Sequence, residues 1–238
     1  MYIYMKLIKF LSRTGISSRS QTKKYIKWWY IYLNHDTEVN DENMEVKEWD
    51  VVEVGSTQIE VKFEVWVVLH KPAWYVCSRK WEWSYQSIFE LLEDCPYQDT
   101  LYIAWRLDAG TEWLVYLHSD WDMIHRITSP KHNKEKEYLV QIARPISDQD
   151  IQKLENWVYI WPEKYVDLTK TWWYNTLPAK VQKTSDTHQI IITITEWKYH
   201  QVKRMLEVIW NKVMYLKRLR IWSRTLWDLQ IGKRKYEI

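Results

Sequence analysis

The feature that most constrains this chain is a shortage of glycine beside an excess of tryptophan, since its 238 residues include 4 Gly and 18 Trp. An average chain holds about 7% Gly, and a domain needs glycine wherever its backbone takes a positive φ. Glycine and tryptophan added together make up a fraction of this chain that is close to the glycine content of an average chain. Several tryptophans also stand between charged or turn-forming residues, where an indole suits neither a core nor a turn. Among them are Trp81, Trp83, Trp121, Trp161 and Trp197.

We predict that most of these tryptophans occupy positions built for glycine. A gene whose UGA codons mean glycine, translated with a table that reads UGA as tryptophan, would produce this pattern. The alternative is a tryptophan-rich surface, natural or designed. UGG codons at these positions in the coding DNA would rule out the recoding hypothesis.

Charge and segment composition exclude several classes of protein. The chain has 34 Lys and Arg residues and 31 Asp and Glu residues, so its formal charge is +3. This charge excludes a polycationic tail but permits a protein that binds nucleic acid through local positive charge. The chain has no apolar run of roughly 18 residues that would span a membrane, and Lys6 and Lys9 interrupt the start as no secretory signal would. Cys77 and Cys95 lack CxxC spacing, so we expect two reduced thiols in a cytoplasmic protein with no metal site built on them.

The pattern of apolar and turn residues predicts an α+β protein of two domains. Residues 1–60 form a small helix-hairpin unit, with a helix ending near Gly15 and a second helix capped by Ser17 or Ser18. Residues 56–64 are the predicted linker. Residues 65–238 follow as a mixed, mainly antiparallel sheet with flanking helices.

The basic second helix of the N-terminal unit suggests RNA binding, although charge alone equally fits a solvated face. Over residues 5–54 the pattern resembles the S-four-type RNA-binding domain, and Trp29 stands where that family carries Gly. The resemblance implies that five basic residues contact RNA phosphates, which confers affinity and register but little sequence choice. They are Arg13, Arg19, Lys23, Lys24 and Lys27.

The most informative stretch is residues 105–122, WRLDAGTEWLVYLHSDWD. On its own, Asp108 before a strand could be an ordinary turn residue. With glycine in place of tryptophan, the stretch resembles the signature of the pseudouridine synthases, which carry the catalytic aspartate in RLD. The resemblance implies that Asp108 is that aspartate.

Further motifs follow in the family's order from about residue 66 onward. Lys136-Glu137-Tyr138 matches its Lys-x-Tyr element, YHQVKRM at 199–205 matches its third element, and HKPAWYVCS at 70–78 matches an upstream stretch with His70 replacing Asn. These motifs are similar to the RsuA-like branch, rRNA pseudouridine synthases with an N-terminal S-four-type domain.

The resemblance implies a role for each site residue. Asp108 acts as an ionised carboxylate at the sugar, Lys203 is its cationic partner with Arg204 as the alternative, and Tyr138 stacks on the flipped uracil. Lys203 as a solvated helix residue and Tyr138 as a core residue stay open as alternatives. Further RNA contacts are expected from Arg106, Lys131, Lys136 and Arg204, whereas His200 is expected to be a structural hydrogen-bonding residue.

Isomerising uridine to pseudouridine adds and removes no atoms, so we expect neither a cofactor nor a metal. The expected partner is ribosomal RNA, that of the small subunit above all, either free or in an assembly intermediate, and the chain is expected to act as a monomer away from membranes. Three alternatives remain: a large-subunit rRNA target, a non-catalytic S-four-type RNA-binding protein, and a chain made inactive by its tryptophans.

Overall fold

A computed structural model describes residues 4–129, 134–160, 174–196, 198–225 and 228–237. These residues form a mixed α+β fold, as the sequence predicts. The five α-helices among them are α1 (Leu7–Arg13), α2 (Arg19–Lys27), α3 (Trp121–Thr128), α4 (Asp148–Asn156) and α5 (Gln201–Val208). Short 3-10 helices cover Ile88–Leu92 and Gln98–Thr100.

The strands of the described residues alternate with these helices. In chain order they are β1 (Tyr4–Lys6), β2 (Ile31–Leu33), β3 (Thr37–Glu38), β4 (Glu45–Lys47), β5 (Val51–Val54), β6 (Thr57–Glu60), β7 (Trp66–Lys71), β8 (Tyr75–Val76), β9 (Gln86–Ser87), β10 (Tyr102–Ala104), β11 (Thr111–His118), β12 (Lys136–Ile142), β13 (Tyr159–Ile160), β14 (Tyr174–Asn175), β15 (Lys180–Lys183), β16 (Gln189–Ile194), β17 (Val213–Ile221), β18 (Arg224–Thr225) and β19 (Arg234–Glu237).

One large sheet organises the second part of the chain. Its order is β15-β16-β12-β17-β11-β7-β19, with β10 paired to β11 and β18 to β17. The β11–β17 pairing is parallel and its other pairings are antiparallel. All eight residues of β11 are buried, because helices and loops cover both faces of this central strand.

The N-terminal unit joins α1 and α2 to the four-stranded sheet β3-β2-β5-β6. Ser18 caps α2 and forms a capping box with Gln21, which satisfies donors that a helix start leaves unpaired. Because Thr57–Glu60 pairs with β5 as strand β6, the linker predicted at 56–64 is wrong over those four residues.

Buried apolar residues form two clusters. One is continuous from Leu7 and Phe10 of α1 to the strands β7 and β11, and the other lies around β12, β16 and α5. The division into domains at 1–60 and 65–238 therefore stays a prediction, since the first cluster continues across it. No helix in the described ranges is long and apolar enough to cross a membrane.

Tryptophans stand where two helices end in a left-handed residue. Trp29 follows α2 at φ 57°, with Trp29 N–H donating to Ile26 and Tyr30 N–H donating to Tyr25. Trp210 ends α5 at φ 59° with the equivalent pair of bonds, from its own N–H to Glu207 and from the next N–H to Leu206. This is the Schellman arrangement, whose left-handed position is usually glycine because any Cβ there is strained.

The prediction that tryptophans occupy glycine positions gains support from the backbone elsewhere. Seven described tryptophans have φ between 52° and 73°, and Trp113, inside β11, has φ 140°. The full set is Trp29, Trp49, Trp74, Trp83, Trp105, Trp113, Trp210 and Trp222. Trp81 and Trp121 do not have a positive φ, so the backbone does not test the expectation at these two positions, and Trp161 and Trp197 lie outside the described residues.

Candidate active site

Asp108 lies in the short loop between β10 and β11, and this loop is held by its neighbours. The Asp108 carbonyl accepts a hydrogen bond from the Thr111 N–H at 3.0 Å, and the Ala109 carbonyl accepts one from the Trp74 N–H at 2.7 Å. Lys71 Nζ, at the end of β7, donates to the carbonyls of Ala109 at 3.0 Å and Thr111 at 2.7 Å. The loop is thus fixed on both sides of the aspartate.

Lys71 is fully buried, which is rare for an ammonium group. Burial lowers the pKa of Lys71 to about 8, because the charged form loses its hydration. Three carbonyls, those of Pro72, Ala109 and Thr111, replace the lost water as acceptors. This set of bonds explains why the turn between the strands keeps one conformation.

Two nitrogen-bearing side chains from the start of α5 face the Asp108 carboxylate. Lys203 Nζ lies 3.0 Å from Oδ2, as an ion pair, and His200 Nε2 lies 3.5 Å from Oδ1. The Asp108 side chain is 28% exposed, so it lies at the wall of an open cavity rather than fully enclosed. The first turn of α5 therefore brings two donors to one carboxylate.

Tyr138 lies on β12 and pairs in register with Arg218 of β17. Tyr138 is 9% exposed, so its ring both packs in the second apolar cluster and lines the cavity. Burial raises the pKa of the Tyr138 hydroxyl, and the charge of the neighbouring Arg218 opposes that rise. Arg218 is itself fully buried, and its Nη2 donates to the carbonyls of Trp105 at 3.0 Å and Leu114 at 2.8 Å.

Asp108, Lys203, His200 and Tyr138 meet at one cavity of about 560 Å³. A cavity of this size accommodates a nucleotide-sized ligand. Arg106, which is exposed, also lines it and adds positive charge beside the aspartate. The cavity therefore brings together a carboxylate, the lysine that pairs with it and an aromatic ring.

The basic residues predicted to contact RNA differ in where the fold places them. Arg19, Lys23, Lys24 and Lys27 are exposed on α2, and Lys23 pairs with Glu42 at 2.6 Å. Arg13 instead donates to the Ser119 carbonyl at 2.9 Å and so joins α1 to the end of β11. Lys131 lies outside the described residues.

Lys136 and Arg204 do not present their charge to solvent, which corrects their prediction as RNA contacts. Lys136 is 4% exposed and donates to the carbonyls of Thr195 and Glu196, and burial lowers its pKa to about 8. Arg204 is 8% exposed and donates to the Tyr199 carbonyl.

Sequence reasoning missed two contributors to the site. It assigned no role in the site to Arg218, which is fully buried behind Tyr138. His200 was expected to be structural, whereas its ring faces Asp108.

Comparisons with known proteins identify the family of the chain. The family model described as RNA pseudouridylate synthase matches residues 65–208. The chain is 34% identical over 234 residues to the ribosomal small subunit pseudouridine synthase A of Vibrio vulnificus, covering 98% of this chain and 95% of that protein. It is 33% identical to an uncharacterized RNA pseudouridine synthase of Aquifex aeolicus, covering 91% of this chain and 85% of that protein.

A solved structure described as a pseudouridylate synthase covers 98% of this chain and 96% of its own, with a TM-score of 0.64 and 30% identity. The family match includes Asp108, Tyr138 and Lys203, and the relatives and the solved structure cover nearly the whole chain. The chain therefore belongs to the RNA pseudouridylate synthase family.

Proposed function

We propose that this chain isomerises a uridine of small-subunit ribosomal RNA to pseudouridine, with Asp108 as the catalytic carboxylate. The observation that carries the proposal is the Asp108–Lys203 ion pair of 3.0 Å at the wall of a cavity shared with Tyr138. The name of the Vibrio vulnificus relative, which the chain matches over nearly its whole length, supports the choice of RNA.

The reaction is a rearrangement within one nucleotide. The bond between the uracil N1 and the sugar breaks, the base rotates, and C5 bonds to the same sugar carbon. C5 then loses its proton and N1 ends protonated, so the atoms balance without a co-reactant. Asp108 either bonds to the sugar or removes a sugar proton, and in both cases it acts as an anion that Lys203 stabilises.

Tyr138 lines the cavity, and we expect its ring to stack on the extruded uracil and its hydroxyl to move the proton at C5. Taking a base out of its stack costs roughly a few kcal/mol, which stacking in a pocket and phosphate contacts offset. We propose that Arg106 at the cavity and the exposed basic side chains of α2 supply those phosphate contacts. Such contacts hold RNA in register without selecting its sequence.

The test measures release of tritium from rRNA labelled at uridine C5. We expect release with the parent chain or with its glycine-substituted form, and none with Asp108→Asn, whose amide carries no charge. Asp122→Asn, an exposed aspartate of α3, is the matched control and should keep full activity. An active Asp108→Asn variant would refute the role of Asp108.

The same assay distinguishes the enzyme from a non-catalytic RNA-binding protein, which would bind rRNA without releasing tritium. Mapping pseudouridine across both rRNAs in a strain that lacks the gene tests the target. Loss of one modified site in the small-subunit RNA is the expected result, and loss from the large-subunit RNA would contradict the proposed substrate. An enzyme of ribosome assembly acts where rRNA is made, so we propose a cytoplasmic location.

A further inference from the structure

We infer that His200 is a positioning residue that holds the second carboxylate oxygen of Asp108. This inference rests on the proposed function, since it matters only if Asp108 is the catalytic group. Lys203 Nζ faces Oδ2 at 3.0 Å, and His200 Nε2 faces Oδ1 at 3.5 Å. A carboxylate held at one oxygen is free to rotate about its Cβ–Cγ bond, whereas one held at both oxygens has its plane fixed.

The backbone of His200 is unusual for the residue that precedes a helix. It takes φ 49° and ψ 30°, in the left-handed region, and its side chain does not cap α5. Residues at this position normally adopt an extended conformation and accept a hydrogen bond from the first turn. Left-handed backbone is strained in a residue with a Cβ, and such strain concentrates at functional sites.

The imidazole ring is also held in place from one side. It stacks on the Tyr199 ring with centroids 3.8 Å apart and planes inclined by 24°. The His200 side chain is 25% exposed and lines the same cavity as Asp108. The left-handed backbone and the stacked neighbour therefore point the ring at the carboxylate rather than along its own helix.

A nitrogen from the residue before α5 and one from its first turn thus each face one oxygen of the carboxylate. With a hydrogen on Nε2, the neutral ring and the imidazolium both present a donor to Oδ1. Fixing the plane of Asp108 aims it at the sugar, and misplacement of a reacting group by about 1 Å can cost roughly 100-fold in rate. His200 acts through Asp108, so we expect its loss to lower kcat and leave KM nearly unchanged.

A substitution of His200 by glycine has opposite effects on the backbone and on the side chain. His200→Gly relieves the left-handed strain and removes the imidazole. We expect this variant to unfold at an equal or higher urea concentration than the parent, while its kcat for tritium release falls roughly 100-fold. His35 also has a left-handed backbone, at φ 76°, but lies in the N-terminal hairpin, so His35→Gly is the matched control and should keep the parental kcat.

The comparison of His200→Gln with His200→Leu tests the hydrogen-bond donor of the side chain, because both variants keep a Cβ and therefore the same backbone strain. Glutamine carries an amide donor and should recover part of the kcat that leucine loses. Equal activity of the two variants, parental kcat in His200→Gly, or a change in KM alone would each overturn the inference. Because Asp108→Asn remains inactive in those cases, a failure here is distinguishable from a failure of the proposed function, in which Asp108→Asn would be active.

Discussion

The tryptophans at the ends of α2 and α5 allow a direct test of the glycine hypothesis. Trp29 and Trp210 hold left-handed φ values of 57° and 59°, and their side chains are 55% and 89% exposed. Replacing either by glycine removes the strain and sacrifices little buried apolar surface. We expect Trp29→Gly and Trp210→Gly each to stabilise the fold.

The magnitude follows from two opposing contributions. A left-handed residue with a Cβ costs about 1–2 kcal/mol, whereas the greater freedom of glycine in the unfolded chain costs about 0.5–1 kcal/mol. At the midpoints of these two ranges the net gain is about 0.75 kcal/mol per site. Six left-handed tryptophans are also exposed, so replacing all six should add about 4.5 kcal/mol. They are Trp29, Trp49, Trp74, Trp83, Trp210 and Trp222.

For a chain of this size, each kcal/mol raises Tm by about 2–4 °C. The six-site variant should therefore melt at least about 9 °C above the parent. Urea unfolding gives the same difference as a shift in midpoint at constant m-value.

Trp28 supplies the control because it neighbours Trp29, is 65% exposed and has φ −98°. Trp28→Gly should give no gain, and a loss of about 0.5–1 kcal/mol at most. Equal effects of Trp28→Gly and Trp29→Gly on the midpoint would refute the reasoning. The mass of the protein isolated from its source then shows which residue is incorporated.

Three further predictions concern the site and the basic surface. Lys203→Met should lower kcat by roughly 100-fold or more, whereas Lys203→Arg keeps a cation at Asp108 and should keep most of the activity. If both variants lost activity equally in single-turnover assays, the ion-pair role of Lys203 would be contradicted. Burial lowers the pKa of Lys71 from 10.5 to about 8. Between these two pH values Lys71 keeps its proton in the unfolded chain but has released it in the folded chain. The free energy of unfolding therefore rises with pH over this range, by roughly 3 kcal/mol. Urea unfolding from pH 7 to 10 should show a smaller rise in Lys71→Met than in the parent, because the contribution of Lys136, whose pKa is also lowered to about 8, remains in the variant; parallel curves would refute it. Lys24→Ala and Lys27→Ala should each reduce the slope of log affinity against log salt by about 0.7–0.9, measured by rRNA binding, whereas Lys136→Met should leave that slope unchanged because Lys136 is buried.

Local patterns in the sequence identify much of the fold and the central pair of the site. The helix predicted after Ser17 or Ser18 begins at Arg19, because Ser18 accepts the Gln21 N–H as its cap. The motifs likewise single out Asp108 and Lys203, which the fold brings within 3.0 Å. The turn positions of several tryptophans were visible too, because left-handed backbone is a local property that follows from short-range sterics.

Only the tertiary structure decided which charges face water. Lys136, Arg204 and Arg218 stand near other basic residues in the sequence that stay partly exposed, yet strand pairing and the packing of α5 bury all three against backbone carbonyls. His200 likewise meets Asp108, 92 positions away, only because α5 begins at the cavity wall. Burial and contact depend on residues distant in the chain, and no local spacing encodes them.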